Sequence, residues 1–368
     1  MPRLIRGVPL AILFMLVIGI AIGCSGDSTS KPANTQQNEK AEENTSGSTQ
    51  SSGETIALKL SHQWPQATAD EGDFRSRLAV KFAEEVEKRT NGQVKIDIYP
   101  NSSLVKAQEQ YDAMISGALD MSVYPLDYAG GKVPQFGVTL MPALVRNHKQ
   151  AQGWKDAEIG KRIEEIAEQN GIKIITWVWN AGAIGSKGDP IITPADIKPG
   201  MKMRAAGSYV DQMLASAGAG ITSMPSSEIY TALQTGVLDA AVTSASSFAS
   251  YKLYEQVDSL VSSRKNTFWF MFEPLIISLN TWNKLTPEQQ NIFLEVGSEL
   301  QSFAYEESIK DDESVAQLFE EHGVTVVDMD DEAFEQWYEL AKPIWEKFAQ
   351  EVEGGQELID LALQVSAE

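Results

Sequence analysis

Arg204 closes the segment Lys202-Met203-Arg204, which follows Pro194-Ala195-Asp196-Ile197-Lys198-Pro199-Gly200 in a chain of 368 residues. In an extended segment Met201 and Met203 face one side, while Lys202 and Arg204 face the other. Arg204 then lies near the carboxyl end of a strand, where open α/β sheets bind ligands. A guanidinium offers a planar fork that matches a carboxylate, and it stays charged when desolvated. The same side chain also suits a surface ion pair with an acidic neighbour, and composition alone favours that use.

The other polar groups point away from turnover. There are three histidines, His62, His148 and His322, and none pairs with another at metal-ligand spacing. The sequence contains no His-Glu-x-x-His, no Gly-x-Ser-x-Gly elbow, no Walker loop and no Gly-x-Gly-x-x-Gly. Acidic residues such as Glu84, Glu85 and Glu87 fall on solvated helix faces. No catalytic residue, cofactor or metal is therefore expected. His62 and Gln63 follow the first strand and can offer hydrogen bonds to a ligand, or form an ordinary loop. Trp64, Tyr124, Trp179, Phe248 and Phe268-Trp269-Phe270 sit near expected strand ends and can stack on an apolar or ring-bearing ligand. Core packing is the simpler use of any one of them.

The elements that must position these groups alternate between strand and helix. Ile56 to Leu60 alternates apolar and polar residues, as a strand does. Phe74, Leu78, Phe82 and Val86 recur every four residues, so Phe74 to Arg89 reads as an amphipathic helix that Asn91-Gly92 stops. Val94, Ile96 and Ile98 alternate again up to Pro100. This β-α-β order predicts an α/β body. Ile172 to Trp179 and Leu275 to Leu279 read as further strands. Thr286-Pro287-Glu288-Gln289 is a capping box with proline at the first helical position. It opens a long helix that can run to Glu321, with Gly323 as its stop. Gly297 and Asp311-Asp312 weaken that helix, so a bend or break is expected there. Val324 to Val327 reads as a strand, and Trp337 to Val352 as a helix interrupted near Pro343.

One unit occurs twice. Glu109 to Val123 and Glu228 to Val242 both read Glu-x-Tyr-x-Ala-apolar-x-Ser/Thr-Gly-apolar-Leu-Asp-x-x-Val. In each copy a helix packs its Tyr/Ala face inward, Gly ends it in the left-handed region, Leu enters the core and a short buried strand follows. Two copies about one domain apart predict two similar lobes, unless the same helix-turn-strand chemistry arose twice.

At the amino end, Leu10 to Ile22 is an apolar run behind Arg3 and Arg6, too short to span a bilayer comfortably. It ends in Ala21-Ile22-Gly23-Cys24, which resembles a lipobox with Ala21 in place of the usual Leu. Residues 1–23 are read as a lipoprotein signal peptide and Cys24 as the lipidated residue. A plain signal peptide or an uncleaved anchor is the alternative. Cys24 is the only cysteine, so an internal disulfide and a cysteine metal site are excluded. Ser25 to Gly53 is rich in Ser, Thr, Asn, Gln, Gly and Glu and reads as a disordered tether, giving a segment 24–53. A formal net charge of −21 argues against nucleic acid and anionic membrane faces as partners. No second apolar run approaches membrane length.

Asp196-Ile197-Lys198-Pro199-Gly200-Met201-Lys202-Met203-Arg204, the segment Glu228 to Asp239, Tyr99-Pro100-Asn101-Ser102-Ser103-Leu104 and Gly117-Ala118-Leu119-Asp120 together resemble one family. It is the solute-binding proteins of tripartite ATP-independent periplasmic (TRAP) transporters, of the C4-dicarboxylate-binding type. The resemblance runs from about Ile56 to the carboxyl end. It implies an α/β, two-lobed periplasmic-binding-protein-like fold with mixed sheets, crossing strands and a long helix spanning both lobes. Lobe I is expected at 54–180 plus 270–310, and lobe II at 181–269 plus 311–368. The lobes close over an organic acid, and uptake runs through TRAP permease membrane subunits without a nucleotide site. Arg204 matches the family's carboxylate-clamping arginine, and Asn180 matches a pocket-lining position. Trp179, Thr243, Tyr124, His62, Trp64 and Phe270 complete the expected wall. Two positions depart from the family: a second arginine of some sialic-acid-binding members aligns near Ala183, and a frequent Asn aligns with Thr243. The expected protein is an extracytoplasmic, lipid-anchored monomer in the periplasm or at the cell surface. A sensory lipoprotein and a surface hydrolase are the competing readings.

Overall fold

The computed structural model of the chain describes residues 55–367. The expected signal peptide, Cys24 and the tether lie outside the described residues. Twelve strands follow one another: β1 (Ile56–Ser61), β2 (Val94–Tyr99), β3 (Met121–Val123), β4 (Ile172–Thr176), β5 (Trp179–Ser186), β6 (Lys202–Arg204), β7 (Gly220–Ile221), β8 (Ala240–Ser244), β9 (Ser259–Ser262), β10 (Phe270–Phe272), β11 (Leu275–Ser278) and β12 (Thr325–Asp328). They make two mixed sheets. One has the order β2-β1-β3-β11-β4, the other β12-β9-β5-β8-β6-β7, with β10 paired to β5. The fold is the two-lobed α/β arrangement that the alternation and the repeat lead to.

The repeat is structural. Its two helices are Gln110–Ile115 and Ile229–Gln234, and each is followed by a left-handed glycine, Gly117 at φ 79° and Gly236 at φ 74°. Leu119 and Leu238 are fully buried. The Asp of each copy ties the unit to the neighbouring parallel strand. Asp120 accepts from the Lys59 amide of β1 and returns its own amide to the Lys59 carbonyl. Asp239 does the same with Lys202 of β6. Strand β1 thus corresponds to β6 and β3 to β8. In this correspondence the register pairs Leu60 with Met121 and Met203 with Ala240.

Ile172 to Trp179 does not form one strand. Strand β4 ends at Thr176 in the first sheet and β5 begins at Trp179 in the second. The long helix explains the break. The Gln301 carboxamide accepts from the Trp177 amide at 3.0 Å and donates to its carbonyl at 2.5 Å. These bonds replace a strand neighbour and let the chain pass between sheets. The return crossing is Glu273-Pro274, where the Glu273 amide bonds Val178 and Pro274 accepts from Tyr124.

That helix runs unbroken from Pro287 to Glu321, with the Thr286–Gln289 capping box formed. The expected weak points serve as contacts. A Cβ at Gly297 would lie 2.6 Å from the Ile175 carbonyl, so glycine lets the crossing strand pass closely. Asp311 accepts from Ser246, and Asp312 accepts from His148 and Ser263. The C-terminal helix also starts earlier than expected, at Asp331, and continues through Pro343 to Glu351. Its N-terminus is fixed by the Asp330 side chain, which accepts from the Ala333 amide. This helix packs on Ser208–Ser216, and the last helix, Gly355–Leu363, packs on Glu158–Gln169. The C-terminal segment therefore contacts elements on either side of the crossing. Among the described residues no helix is long and apolar enough to cross a membrane.

Candidate functional site

Arg204 ends β6 and is completely buried, so it is not the surface ion pair that composition also allowed. Its Nε donates to the Met224 carbonyl at 3.0 Å, Nη1 to the Val242 carbonyl at 2.8 Å and Nη2 to the Tyr128 hydroxyl at 3.3 Å. A guanidinium carries five N–H donors. Three are engaged here, which leaves one on each terminal nitrogen. Among the described residues no carboxylate forms an ion pair with Arg204. Tyr128 comes from the segment after β3, on the opposite sheet's side, and its ring stands edge-on to Tyr124 at 6.1 Å. Beside this contact lies a cavity of about 170 Å³, bounded by Asp127, Tyr128, Gly207, Ser208 and Met224 among others.

Two acidic groups stand near the guanidinium. Burial raises the Asp127 carboxyl to about 7, helped by Asp211 and opposed by Arg204. Burial raises Asp211 to about 6, against Arg204 and a backbone bond at Ala205. Asp127 presses on the start of helix Ser208–Ser216. A Cβ at Gly207, itself at φ 86°, would come within 2.6 Å of an Asp127 carboxylate oxygen.

A second buried arginine behaves differently. Arg75 donates through Nε and Nη2 to the two oxygens of Asp73 at 2.9 and 2.7 Å, and through Nη1 to Glu273 at 2.7 Å. Its remaining donors reach the Ser244 and Ser247 hydroxyls at 2.9 and 3.2 Å. All five N–H groups are used. Its guanidinium also lies over the Trp64 ring, 4.0 Å from the centroid. Arg75 lies on the helix after β1, whereas Ser244 ends β8 and Ser247 lies on the helix that follows it, so this side chain ties an element beside one sheet to a strand end of the other. Both carboxylates feel burial first. At Asp73 the Arg75 charge and hydrogen bonds outweigh it, and the pKa is lowered. At Glu273 burial wins and the pKa is raised.

The expected site residues divide between these two centres and the core. His62 and Trp64 follow β1 and are buried, with rings 6.0 Å apart. Burial lowers the His62 pKa to about 4, so the ring is neutral. His62 Nδ1, Gln63 Oε1, Trp64 Nε1 and the Tyr124 hydroxyl are buried without a hydrogen-bond partner among the described residues. Such atoms are rare in folded proteins. Asn180 belongs to the Arg75 centre: its carboxamide donates to Ser246 at 3.0 Å and Glu273 at 3.4 Å. Thr243 is buried in β8 opposite Ala183. Trp179 packs edge-on to Trp154 and against Phe272, and Phe270 packs edge-on to His148. Both belong to the large aromatic core. Sequence reasoning did not find Asp73, Arg75, Tyr128, Asp127 or Glu273. The one legible signal was Asp73 before Phe74, where its side chain caps the helix by accepting from the Arg75 amide.

The model of the bacterial extracellular solute-binding proteins, family 7, matches residues 60–351 of this sequence. The chain belongs to this family. A solute-binding protein of Albidiferax ferrireducens is 44% identical over 312 residues, 84% of this chain and 92% of its own. The C4-dicarboxylate-binding periplasmic protein of Rhodobacter capsulatus is 28% identical over 319 residues, 86% of this chain and 92% of its own. Among solved structures, a TRAP periplasmic solute binding protein from Rhodoferax ferrireducens with bound malonate matches with a TM-score of 0.82 and 43% identity, covering 84% of this chain and 98% of that one. The family 7 chain is thus an extracytoplasmic solute receptor of the TRAP type and not an enzyme. Neither the sensory nor the hydrolase reading gains support from these likenesses.

Proposed function

We propose that this receptor captures a small organic acid by its carboxylate on Arg204 and hands it to TRAP permease subunits in the membrane. The observation that carries this reading is the fully buried guanidinium with one free N–H on each terminal nitrogen and, among the described residues, no hydrogen-bonded carboxylate. A carboxylate satisfies such a pair in parallel, with two charge-assisted hydrogen bonds. The malonate bound to the 43% identical Rhodoferax structure supports a small acid. His62, Trp64 and Tyr124 supply further polar contacts through their unpartnered atoms, while Asn180 and Thr243 hold the floor and Trp179 and Phe270 back it from the core. Closure brings the two lobes together around the guest as a hinge does. We also read the receptor as a monomer, tethered by lipid on Cys24 and free to reach its permease, a reading that rests on the sequence at Ala21-Ile22-Gly23-Cys24.

Thermal unfolding against a panel of organic acids tests this. A ligand that binds only the folded state raises the melting temperature by mass action. One class of acid should shift the wild type and fail to shift Arg204→Ala. A shift of equal size in both proteins would sink the clamp.

A further inference from the structure

The carboxylate clamp accounts for Arg204 but not for the acid beside it. Asp127 is about nine-tenths buried and lines the 170 Å³ cavity together with Tyr128 and Met224, the hydroxyl and carbonyl partners of Arg204. No cation pairs with it among the described residues, and Asp211 Oδ1 nearby is buried without a partner. The groups that face Asp127 electrostatically are Asp211 on helix Ser208–Ser216, Arg204 on β6, Tyr124 after β3 and Tyr209. Only Arg204 is cationic, and its free N–H pair is the seat of the first carboxylate. A second ionised carboxylate placed against Asp127 would meet like charge in a poorly solvated site.

Resting on the clamp reading, we infer that Asp127 reads the far polar group of the bound acid and shares one proton with it. An acid with a hydroxyl or amide N–H near its carboxylate brings that proton and donates it to ionised Asp127. A dicarboxylate brings none. One proton then comes from solvent and sits in an O–H···O bond between Asp127 and the distal carboxylate, with no other bond formed or broken. The raised Asp127 pKa fits this role, since the group is ready to take up a proton near neutrality. Asp127 is on this account a specificity residue, and malonate and pyroglutamate represent the two ligand classes.

The test is titration calorimetry on the full chain with malonate and with pyroglutamate, in buffers of different ionisation enthalpy, between pH 6 and pH 9. Above about pH 8 malonate binding should take up close to one proton, with affinity falling toward tenfold per unit of pH, and the uptake should fade below pH 7, where free Asp127 is already protonated. Pyroglutamate binding should take up none above about pH 8 and hold its affinity there, and should release a proton below pH 7 as Asp127 ionises to accept its N–H. Asp127→Asn should retain malonate binding with the proton uptake gone, and should weaken pyroglutamate about tenfold or more. The wild-type comparison of the two ligands needs no variant, so it stands even if Asp127→Asn folds poorly. Equal proton uptake by both ligands, or uptake that survives Asp127→Asn, overturns the inference while Arg204→Ala still abolishes binding. If neither ligand binds the wild type, or if Arg204→Ala binds both normally, the clamp fails and this inference fails with it.

Discussion

Arg75 and Arg204 are both fully buried, yet their surroundings are opposite. Arg75 has two carboxylates and two hydroxyls and no free donor. Arg204 has two carbonyls, one phenol and no carboxylate. A buried charge that is completed by its own chain holds structure together. One that is held in place by neutral acceptors and left short of a counter-charge is set for a partner from outside. Burial and residue type alone do not distinguish them. The inventory of N–H groups does.

The comparison breaks first at Arg75. Arg75→Ala leaves Asp73 and Glu273 buried without their counter-charge, and removing one partner of such a pair costs about 3–5 kcal/mol. We expect a large fall in the melting temperature of the unliganded protein. A variant of wild-type stability would show that this arginine is not structural. The corresponding change at Arg204 works on binding. Arg204→Ala should lower affinity for the preferred acid about thirtyfold or more, as truncating one side of a desolvated charge pair does. Unliganded stability should move much less than in Arg75→Ala, and the pairing of calorimetry with thermal unfolding separates the two effects. Arg204→Lys sharpens the point. It keeps the charge but lacks the planar fork, so it should recover only part of the affinity.

Little of this contrast was legible in the sequence. The stripe Phe74, Leu78, Phe82 and Val86 located the first helix correctly, but it leaves Arg75 off the apolar face, where a solvated role is the default. The partners that bury it lie far along the chain, with Glu273 198 residues away. Arg204 was legible because its strand, its position at the strand end and its chemistry agreed with one another, and the family resemblance gave that agreement a use. The crossing between sheets was hidden for a different reason. Both strands around Trp177-Val178 are apolar, and the Gln301 carboxamide that separates them sits on a helix 124 residues later. The repeat, by contrast, was readable because every part of it is local: helix, left-handed glycine, core leucine and strand.

The acidic group beside Arg204 gives a pH-dependent version of the comparison. An aspartate ordinarily titrates near 3.9 when unfolded, whereas burial raises Asp127 to about 7 in the folded chain. The folded state therefore binds more protons between these values. Its stability falls as pH rises through that window, and the loss is complete above about pH 7. Asp127→Asn removes the titration. We expect the variant to match the wild type near pH 4 and to exceed it at pH 8, by up to about 4 kcal/mol. Thermal unfolding of the unliganded proteins across this range measures the gap. A gap that does not grow with pH would mean that Asp127 is solvated well enough to ionise freely.

The smallest effect comes from the repeat and compares its two halves directly. Asp120 and Asp239 hold equivalent posts, each accepting from a lysine amide one strand away. Asp120 has an added partner, since the Thr281 hydroxyl donates to it at 2.6 Å. Among the described residues no such hydroxyl reaches Asp239. Replacing either with Ala removes an exposed hydrogen bond to a strand amide, worth about 0.5–1 kcal/mol. Asp120→Ala should cost more than Asp239→Ala, because it also leaves Thr281 without its acceptor. The two losses should add in the double variant, because the posts are in different sheets and share no partner. Denaturant unfolding of the four proteins resolves differences of this size. Equal single losses would show that the Thr281 bond contributes nothing measurable. A double variant far below the sum would mean that the two lobes fold as one cooperative unit through these posts.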